Sequence, residues 1–355
     1  MRNAVYINGT GCISAQNTFD RNWFFGEVQI PGKNYLHVNE DSFKNVIPAN
    51  QSRRMSKIVK MGIASAMSCM KDAGVENVDA IITGTGIGCF EDSEKFLRSM
   101  IENDEKLVSP ATFIQSTHNT VAAQIALLLK CNAYNFTYTH FGFSFESSMQ
   151  DAFLQIEDDK NKNILVGGVE EMPRSYLNLI ESAGWLKKEG EVENNNSNTS
   201  QGVIAGEGSS FFLLSGIKSA SAYAQIKNFK TIYKPSDVAE LQSEIEKFLS
   251  DSTIQLSDID AVITGLSGDA AADKKSKFIS ESYFKDNMQL SFKNYFGECP
   301  VAVSFALWIA ANMIKKKEIP EVLCINKVKH KAPANILIFN QYRDKNYSLI
   351  LLSAC

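Results

Sequence analysis

VDAIITGTGIG at residues 78–88 and IDAVITGLSGD at residues 259–269 are the stretches on which the reading of this chain turns. Each is a short β-branched run that closes on a turn rich in small residues, and each follows an amphipathic segment and a polar turn. The run reads as a buried strand and the glycines as the sharp exit from it. Nearly the same string in two places hints at a duplicated fold. Two unrelated α/β strands can also look this similar, so the echo alone leaves duplication open.

Outward from these stretches, short β-branched runs alternate with longer ones whose apolar residues recur every three or four positions, the pattern of α/β layering. Strands are predicted at 4–7, 78–83, 135–139, 164–166, 210–214, 224–232, 260–264, 322–325, 335–339 and 348–352. Helices are predicted at 54–73, 93–103, 119–129, 144–156, 237–249 and 300–315. Asp237 with Glu240 three residues on fits a capping box, and Val238, Leu241, Ile245 and Phe248 then form one apolar stripe. The segment 189–200, EGEVENNNSNTS, is polar and aperiodic and reads as an exposed loop.

With 355 residues and 44% hydrophobic content, the chain can bury a large core as one α/β domain or two fused halves. A formal net charge of −4 supplies no basic field for a polyanion, which argues against nucleic-acid binding. The apolar start is broken by Asn8, Gly9 and Thr10, unlike a secretory signal, and no run reaches the roughly 20 apolar residues of a membrane helix. A cytoplasmic location is therefore expected. Cys12, Cys69, Cys89, Cys131, Cys299, Cys324 and Cys355 are scattered without a CxxC pair, which suggests neither a disulfide framework nor a zinc site. His37, His118 and His330 lack paired ligands at metal spacing and read as structural. No metal or other cofactor is expected.

Several landmarks in order along the whole chain resemble the β-ketoacyl synthase family. VYINGTGCIS at the start is similar to its first strand and glycine turn, and DAIITGTGIG to its next internal strand. ILVGGVEEM (164–172) and GVIAGEGSSFFLLS (202–215) are similar to its GG-x-E and GEGAG segments. SPATFIQSTHNTVAAQIALLLKC (109–131) resembles its Ser-Pro loop and the helix that begins at its Asn, here Asn119. The resemblance implies a thiolase-like α-β-α-β-α layered sandwich of two duplicated βαβαβαββ halves, 1–215 and 216–355. It also implies a dimer built by pairing a strand near 135–139 across a two-fold axis.

Ketosynthases use a cysteine at the N-terminus of a buried helix, where the helix dipole favours the thiolate, and two histidines that stabilise the charge developed in decarboxylation. Aligned on this resemblance, the nucleophile turn is THFGFSFESSMQDA (139–152), which puts Gly142 at the cysteine and keeps the nearby serine as Ser144. The first histidine falls on Thr264 in VITGLSGD, and SFKNYFGECP keeps Ser291, Lys293 and Gly297 but carries Glu298 at the second. The glycine-rich gating loop maps onto Gln341, Tyr342, Arg343 and Asp344, ahead of Asn346. Ketosynthase-like subunits that lack only the cysteine can still decarboxylate malonyl groups if both histidines stay, and here neither does.

A Ser144–His140 pair is an alternative nucleophile, although no carboxylate is evident to orient His140, which reads as a buried, hydrogen-bonded side chain. Cys131 and Cys299 read as small core residues. The resemblance thus implies a chain-length-factor-like subunit, not catalytic on its own. It would pair with an active ketosynthase that binds the acyl carrier protein, in fatty acid or polyketide biosynthesis. The compact length is similar to members from aryl polyene and flexirubin-type pigment pathways. Thr112, Phe113 and Ser116, on a segment that in the family crosses the dimer interface, are candidate walls of the partner's acyl tunnel; Phe113 could equally pack in the chain's own core. The alternatives are a homodimeric non-catalytic acyl-binding or scaffold protein, or an acyltransferase with displaced chemistry at Ser144.

Overall fold

A computed structural model of the chain describes residues 4–53, 55–106, 109–188, 200–328 and 331–355. Residues 189–199 of the loop expected at 189–200, residue 54 at the expected start of a helix, and His330 lie outside the described residues.

The N-terminal part contributes strands β1 (Val5–Ile13), β2 (Ala80–Gly84), β3 (Tyr134–Tyr138), β4 (Ile164–Glu170) and β5 (Gly208–Ser215). The C-terminal part contributes β6 (Ala224–Tyr233), β7 (Ala261–Thr264), β8 (Met288–Ser291), β9 (Asn335–Tyr342) and β10 (Asn346–Ser353). They form one sheet in the order β8-β7-β9-β10-β6-β1-β5-β4-β2-β3. In both sets the strands, numbered within the set, run 3-2-4-5-1. The three on the outside are parallel and the fourth pairs antiparallel with the fifth. The sets join through their first strands, Val5 opposite Ile226. The echoing strings of the sequence are β2 and β7, the second strand of each set, so the duplication is visible in the topology.

Side-chain alternation along the strands builds the layers. Ile82, Val166, Phe212 and Leu214 face a central core that also receives Ile263, Ile336, Ile338, Ile350 and Leu352 from the other set. Between the two sets lie α5 (Ser144–Asp158) and α9 (Val303–Lys316). Every residue of α9 from Val303 to Ile314 is buried, as a helix walled in by two sheets must be. The opposite strand faces carry α1 (Lys57–Ala73) and α4 (Thr120–Leu129) on one side, and α7 (Val238–Asp251) and α8 (Lys274–Ser282) on the other. The result is the expected α-β-α-β-α sandwich. α1 sits close on β1 because Gly11 has no Cβ: one there would lie 2.1 Å from Ser65 O.

The capping reading of α7 is half realised. Asp237 Oδ1 accepts from Glu240 N at 2.9 Å, but Glu240 Oε2 accepts from Ser236 N, one residue upstream of the cap. The strand expected at 322–325 is instead a 3-10 turn, Glu321–Leu323, followed by a single bridge from Cys324 to Leu290. Pro320 and the short apolar run end there, and the segment covers a sheet edge rather than extending the sheet. The helix expected from 300 begins at Val303. Helices α2 (Phe90–Glu102), α3 (Pro110–Ser116) and α6 (Arg174–Ser182) complete the N-terminal part. Among the described residues, no helix is long and apolar enough to cross a membrane.

Candidate functional site

Four segments converge where the sheet sets meet the central helices: the turn before α5, the end of β7, the stretch 293–298, and the β9–β10 connection. Gln341 and Tyr342, the last residues of β9, hold them together. Gln341 O accepts from Lys293 Nζ at 2.6 Å, and Gln341 Nε2 donates to Asp273 Oδ1 at 2.8 Å. The Tyr342 ring packs on the turn before α5.

That turn is a 3-10 segment, Phe141–Phe143, in which Phe141 has φ 48° and Gly142 is buried. Ser144 Oγ accepts from His140 N at 2.9 Å and donates to Phe141 O at 2.8 Å, so the hydroxyl is engaged in shaping the turn. The His140 imidazole is exposed and bonds Ser147 instead, at 3.3 Å. The expectation of a buried His140 is thus corrected: it follows an edge strand and faces outward. A Cβ built on Gly142 would lie 2.7 Å from Tyr342 Cδ1 and 3.2 Å from Asn346 Cγ. Any side chain at residue 142 therefore collides with Tyr342.

Thr264 ends β7 fully buried, its Oγ1 donating to Leu290 O at 2.9 Å. Lys293 and Glu298 form a buried ion pair at 2.8 Å, 1% and 6% exposed. Burial raises the Glu298 carboxyl above its usual range against the pull of Lys293. Gly297, at φ 80°, lets this segment lie against Gly206: a Cβ on it would be 2.3 Å from Gly206 Cα. Glu298 N and O bond Ile204 O and Gly206 N there. Cys299 is buried, and burial, reinforced by Glu170 and Glu298, pushes its thiol well up, which keeps it protonated and unreactive. Cys131, after α4, is half-buried with its thiol toward Val78 O.

Arg343 and Asp344 take positive φ, 55° and 53°, the conformation that glycines would adopt freely. Interactions hold them in place of glycine. The Arg343 guanidinium lies 3.3 Å from the Trp185 ring centre, and Asp344 pairs with Lys275 at 3.2 Å and accepts from Tyr347 OH. Beneath them is a cavity of about 450 Å³ lined by Tyr176, Trp185, Glu298, Cys299, Tyr342 and Arg343 among others.

Two buried carboxylates of the recognised motifs hold the scaffold. Glu170 accepts from Gly86 N, Ile87 N and Thr85 Oγ1. Glu207 accepts from Lys57, His37 and the backbone of Val38 and Met172. His37 is thereby structural; His118 is exposed, beside Gly88. Among the described residues no group of His, Cys, Asp and Glu could hold a metal ion.

The candidate tunnel residues lie on α3, away from this cluster. Thr112 and Ser116 direct their hydroxyls to the backbone of Ser109 and Phe113. Phe113 is 54% exposed, its ring touching Phe96 at 5.4 Å, so the reading in which it fills the chain's own core is corrected. Strand β3 is hydrogen-bonded on one side only, with Tyr134, Phe136 and Tyr138 in a row of rings 6.2 and 4.9 Å apart. The corresponding edge of the other set, β8, is covered: Ile325 N donates to Gln289 O, and Asn326 Oδ1 accepts from Gln289 N. β3 has no such cover within the described chain and leaves Phe136 and Leu127 46% and 70% exposed.

Residues 30–193 match the family model of the β-ketoacyl synthase N-terminal domain. The chain has a ketosynthase-like, chain-length-factor-like fold, as its superposition on solved structures shows. The ishigamide ketosynthase/chain length factor superposes with a TM-score of 0.80 at 17% identity, over 100% of both chains. A type II PKS acyl-carrier protein in complex with its ketosynthase bound to the hexaketide gives 0.80 at 15% identity, again over 100% of both. A ketosynthase in complex with its chain length factor from Xenorhabdus doucetiae gives 0.73 at 14%, over 99% of this chain and 98% of that one. No curated protein matches the sequence.

The Tyr342–Gly142 contact, the Arg343–Trp185 stack and the exposure of Phe113 were beyond sequence reasoning, because each joins or separates segments far apart in the chain. The one signal in the sequence was the bulky, charged run at 341–344 where the resemblance expects glycines.

Proposed function

We propose that this chain is a chain-length-factor-like subunit without ketosynthase chemistry of its own, which pairs with an active β-ketoacyl synthase and shapes its acyl tunnel. The observation that carries the reading is Tyr342 standing over Gly142. The site has not merely lost a thiol; the space for one is filled, and Thr264 and the Lys293–Glu298 pair occupy the places of the two histidines. Ser144, tied into its turn, gives no support to displaced acyl transfer.

The bare edge of β3 supports pairing. Unpaired strand groups beside exposed aromatic rings are what a two-fold partner satisfies. The partner would supply cysteine and histidines and receive the acyl carrier protein, while Thr112, Phe113 and Ser116 contribute wall. The equal strand order of the two sets supports a division into halves 1–215 and 216–355. The setting would be cytoplasmic fatty acid or polyketide synthesis, with an aryl polyene or flexirubin-type pathway by analogy.

Tagged chain co-expressed with a ketosynthase encoded beside it, one that carries an intact Cys-His-His set, tests the reading. A stable one-to-one complex is expected. A chain that purifies only with itself, whatever ketosynthase is supplied, turns the reading to a homodimeric scaffold.

A further inference from the structure

The residues that line the cavity under Arg343 divide by exposure into a rim and a floor. Gly184, Trp185, Ala271 and Lys345 are exposed, whereas Met172, Tyr176, Ile180 and Ala205 are buried and largely apolar. At about 450 Å³ the cavity is the size of a small-molecule site. The charges on its lining are not equally engaged. Glu298 is paired with Lys293, Asp344 with Lys275, and Asp269 accepts from the backbone N–H groups of Gly202, Ala271 and Ala272. The two cations on the lining, Arg343 and Lys345, form no ion pair or side-chain hydrogen bond among the described residues. Arg343 is held by rings instead. Its guanidinium lies 3.3, 5.3 and 5.8 Å from the ring centres of Trp185, Tyr342 and Phe141, which leaves its in-plane N–H groups for an acceptor.

We infer that this cavity binds an aliphatic carboxylate with its head outward, the head group on Arg343 at the rim and the chain on the floor formed by Met172, Tyr176, Ile180 and Ala205. A guanidinium held by rings recognises a carboxylate through parallel N–H bonds in its own plane. Lys345 adds attraction without fixed geometry. The floor rewards each methylene taken out of water. A neutral or cationic head forfeits the first contribution, and a short chain forfeits the second. The inference goes beyond the proposed pairing and does not need it, since every residue it uses belongs to this chain.

Calorimetry on the full chain with hexanoate, octanoate and decanoate tests this, with the 1-alkanols and 1-alkylamines of the same lengths as controls. An acid should bind saturably, about tenfold or more tighter than the alkanol of equal length, as a hydrogen bond to a charged group implies. Affinity should rise by up to about fourfold per added methylene until the floor is filled. The amines should not compete. Arg343→Gln, in the β9–β10 connection, should remove the advantage of the acid and leave the alkanol unchanged. Ala205→Leu, which fills the floor, should weaken decanoate more than hexanoate, with circular dichroism to establish that each variant is folded. No saturable binding, equal affinity for acid and alkanol, or Arg343→Gln binding acids as the wild type does would each overturn the inference. A folded Ala205→Leu variant that binds every length unchanged would overturn the place given to the chain. Acid binding can fail while a one-to-one complex with a ketosynthase still forms, so the two readings are decided separately.

Discussion

The ring of Tyr342 stands where a side chain on Gly142 would have to go, 2.7 Å from the position of its Cβ. The two residues lie 200 positions apart, on the turn before α5 and at the end of β9, and they compete for one space.

Gly142→Cys alone should therefore overpack the site and destabilise the chain by about 1–3 kcal/mol. Tyr342→Ala alone should leave a cavity, at about 3–5 kcal/mol. Combined, the two changes should cost clearly less than their sum, because the new side chain enters the space the ring vacates. Denaturant titration of the four proteins measures this, and strict additivity would mean that the residues do not compete for one space.

Stability should fall as pH rises from about 5 to about 8. Burial pushes Glu146 up to about 8, and its Oε2 has no partner. The folded chain thus binds this proton more tightly than the unfolded chain does. Its contribution is complete below the ordinary carboxylate range and is lost as pH passes through about 8. Burial sets Glu170 at about 7 and Glu171 at about 8, in the same direction. Glu207 leaves this trend unchanged: burial pushes it up, but His37 and Lys57 outweigh burial and hold it low, so its contribution is complete across this range and is lost only at lower pH. Glu146→Gln should match the wild type near pH 5 and exceed it at pH 8, by on the order of a few kcal/mol. Thermal unfolding midpoints that keep a constant offset between the two proteins across this range would refute the assignment.

Glu298→Ala should destabilise by about 3–5 kcal/mol, since it strands Lys293 in the interior. Lys293→Met together with Glu298→Met should recover most of that loss. Glu298→His should yield no malonyl decarboxylation, because Thr264 remains where the resemblance puts the other histidine. Release of carbon dioxide from malonyl carrier protein by that variant alone would show that the rest of the site is intact.

In a reconstituted pair with an active ketosynthase, Phe113→Ala should lengthen the product and Ser116→Phe shorten it. The reason is the exposure of α3: a ring 54% exposed on an isolated chain has space for a partner on its open face. Mass spectrometry of the released chains reads the shift. An unmoved distribution from complexes that assemble normally would remove α3 from chain-length control.

Much of the fold was legible in the sequence because its strands are buried on both faces and read as continuous β-branched runs, β2 and β7 above all. Elements with little apolar signal escaped. Strand β8 has only four residues, and α8 is lysine-rich with Ile279 as its one large apolar residue turned fully inward. Residues 322–325 misled for the opposite reason: an apolar run that covers an edge looks like one that extends a sheet. Register against the family proposes Gly142, Thr264 and Glu298 for the catalytic positions. The filling of the space at Gly142 by Tyr342 could not be read in this way, because nothing local to residue 142 or 342 records their contact.

The most direct test of the account is a paired acylation assay. The isolated chain, and the same chain bound to an active ketosynthase, are each incubated with acyl and malonyl carrier proteins and read by intact-protein mass spectrometry. The account predicts a covalent acyl adduct on the partner's cysteine and none on this chain in either sample, with extended product only when both chains are present. A stoichiometric adduct on this chain, at Ser144 or elsewhere, or extended product from this chain alone, would contradict it.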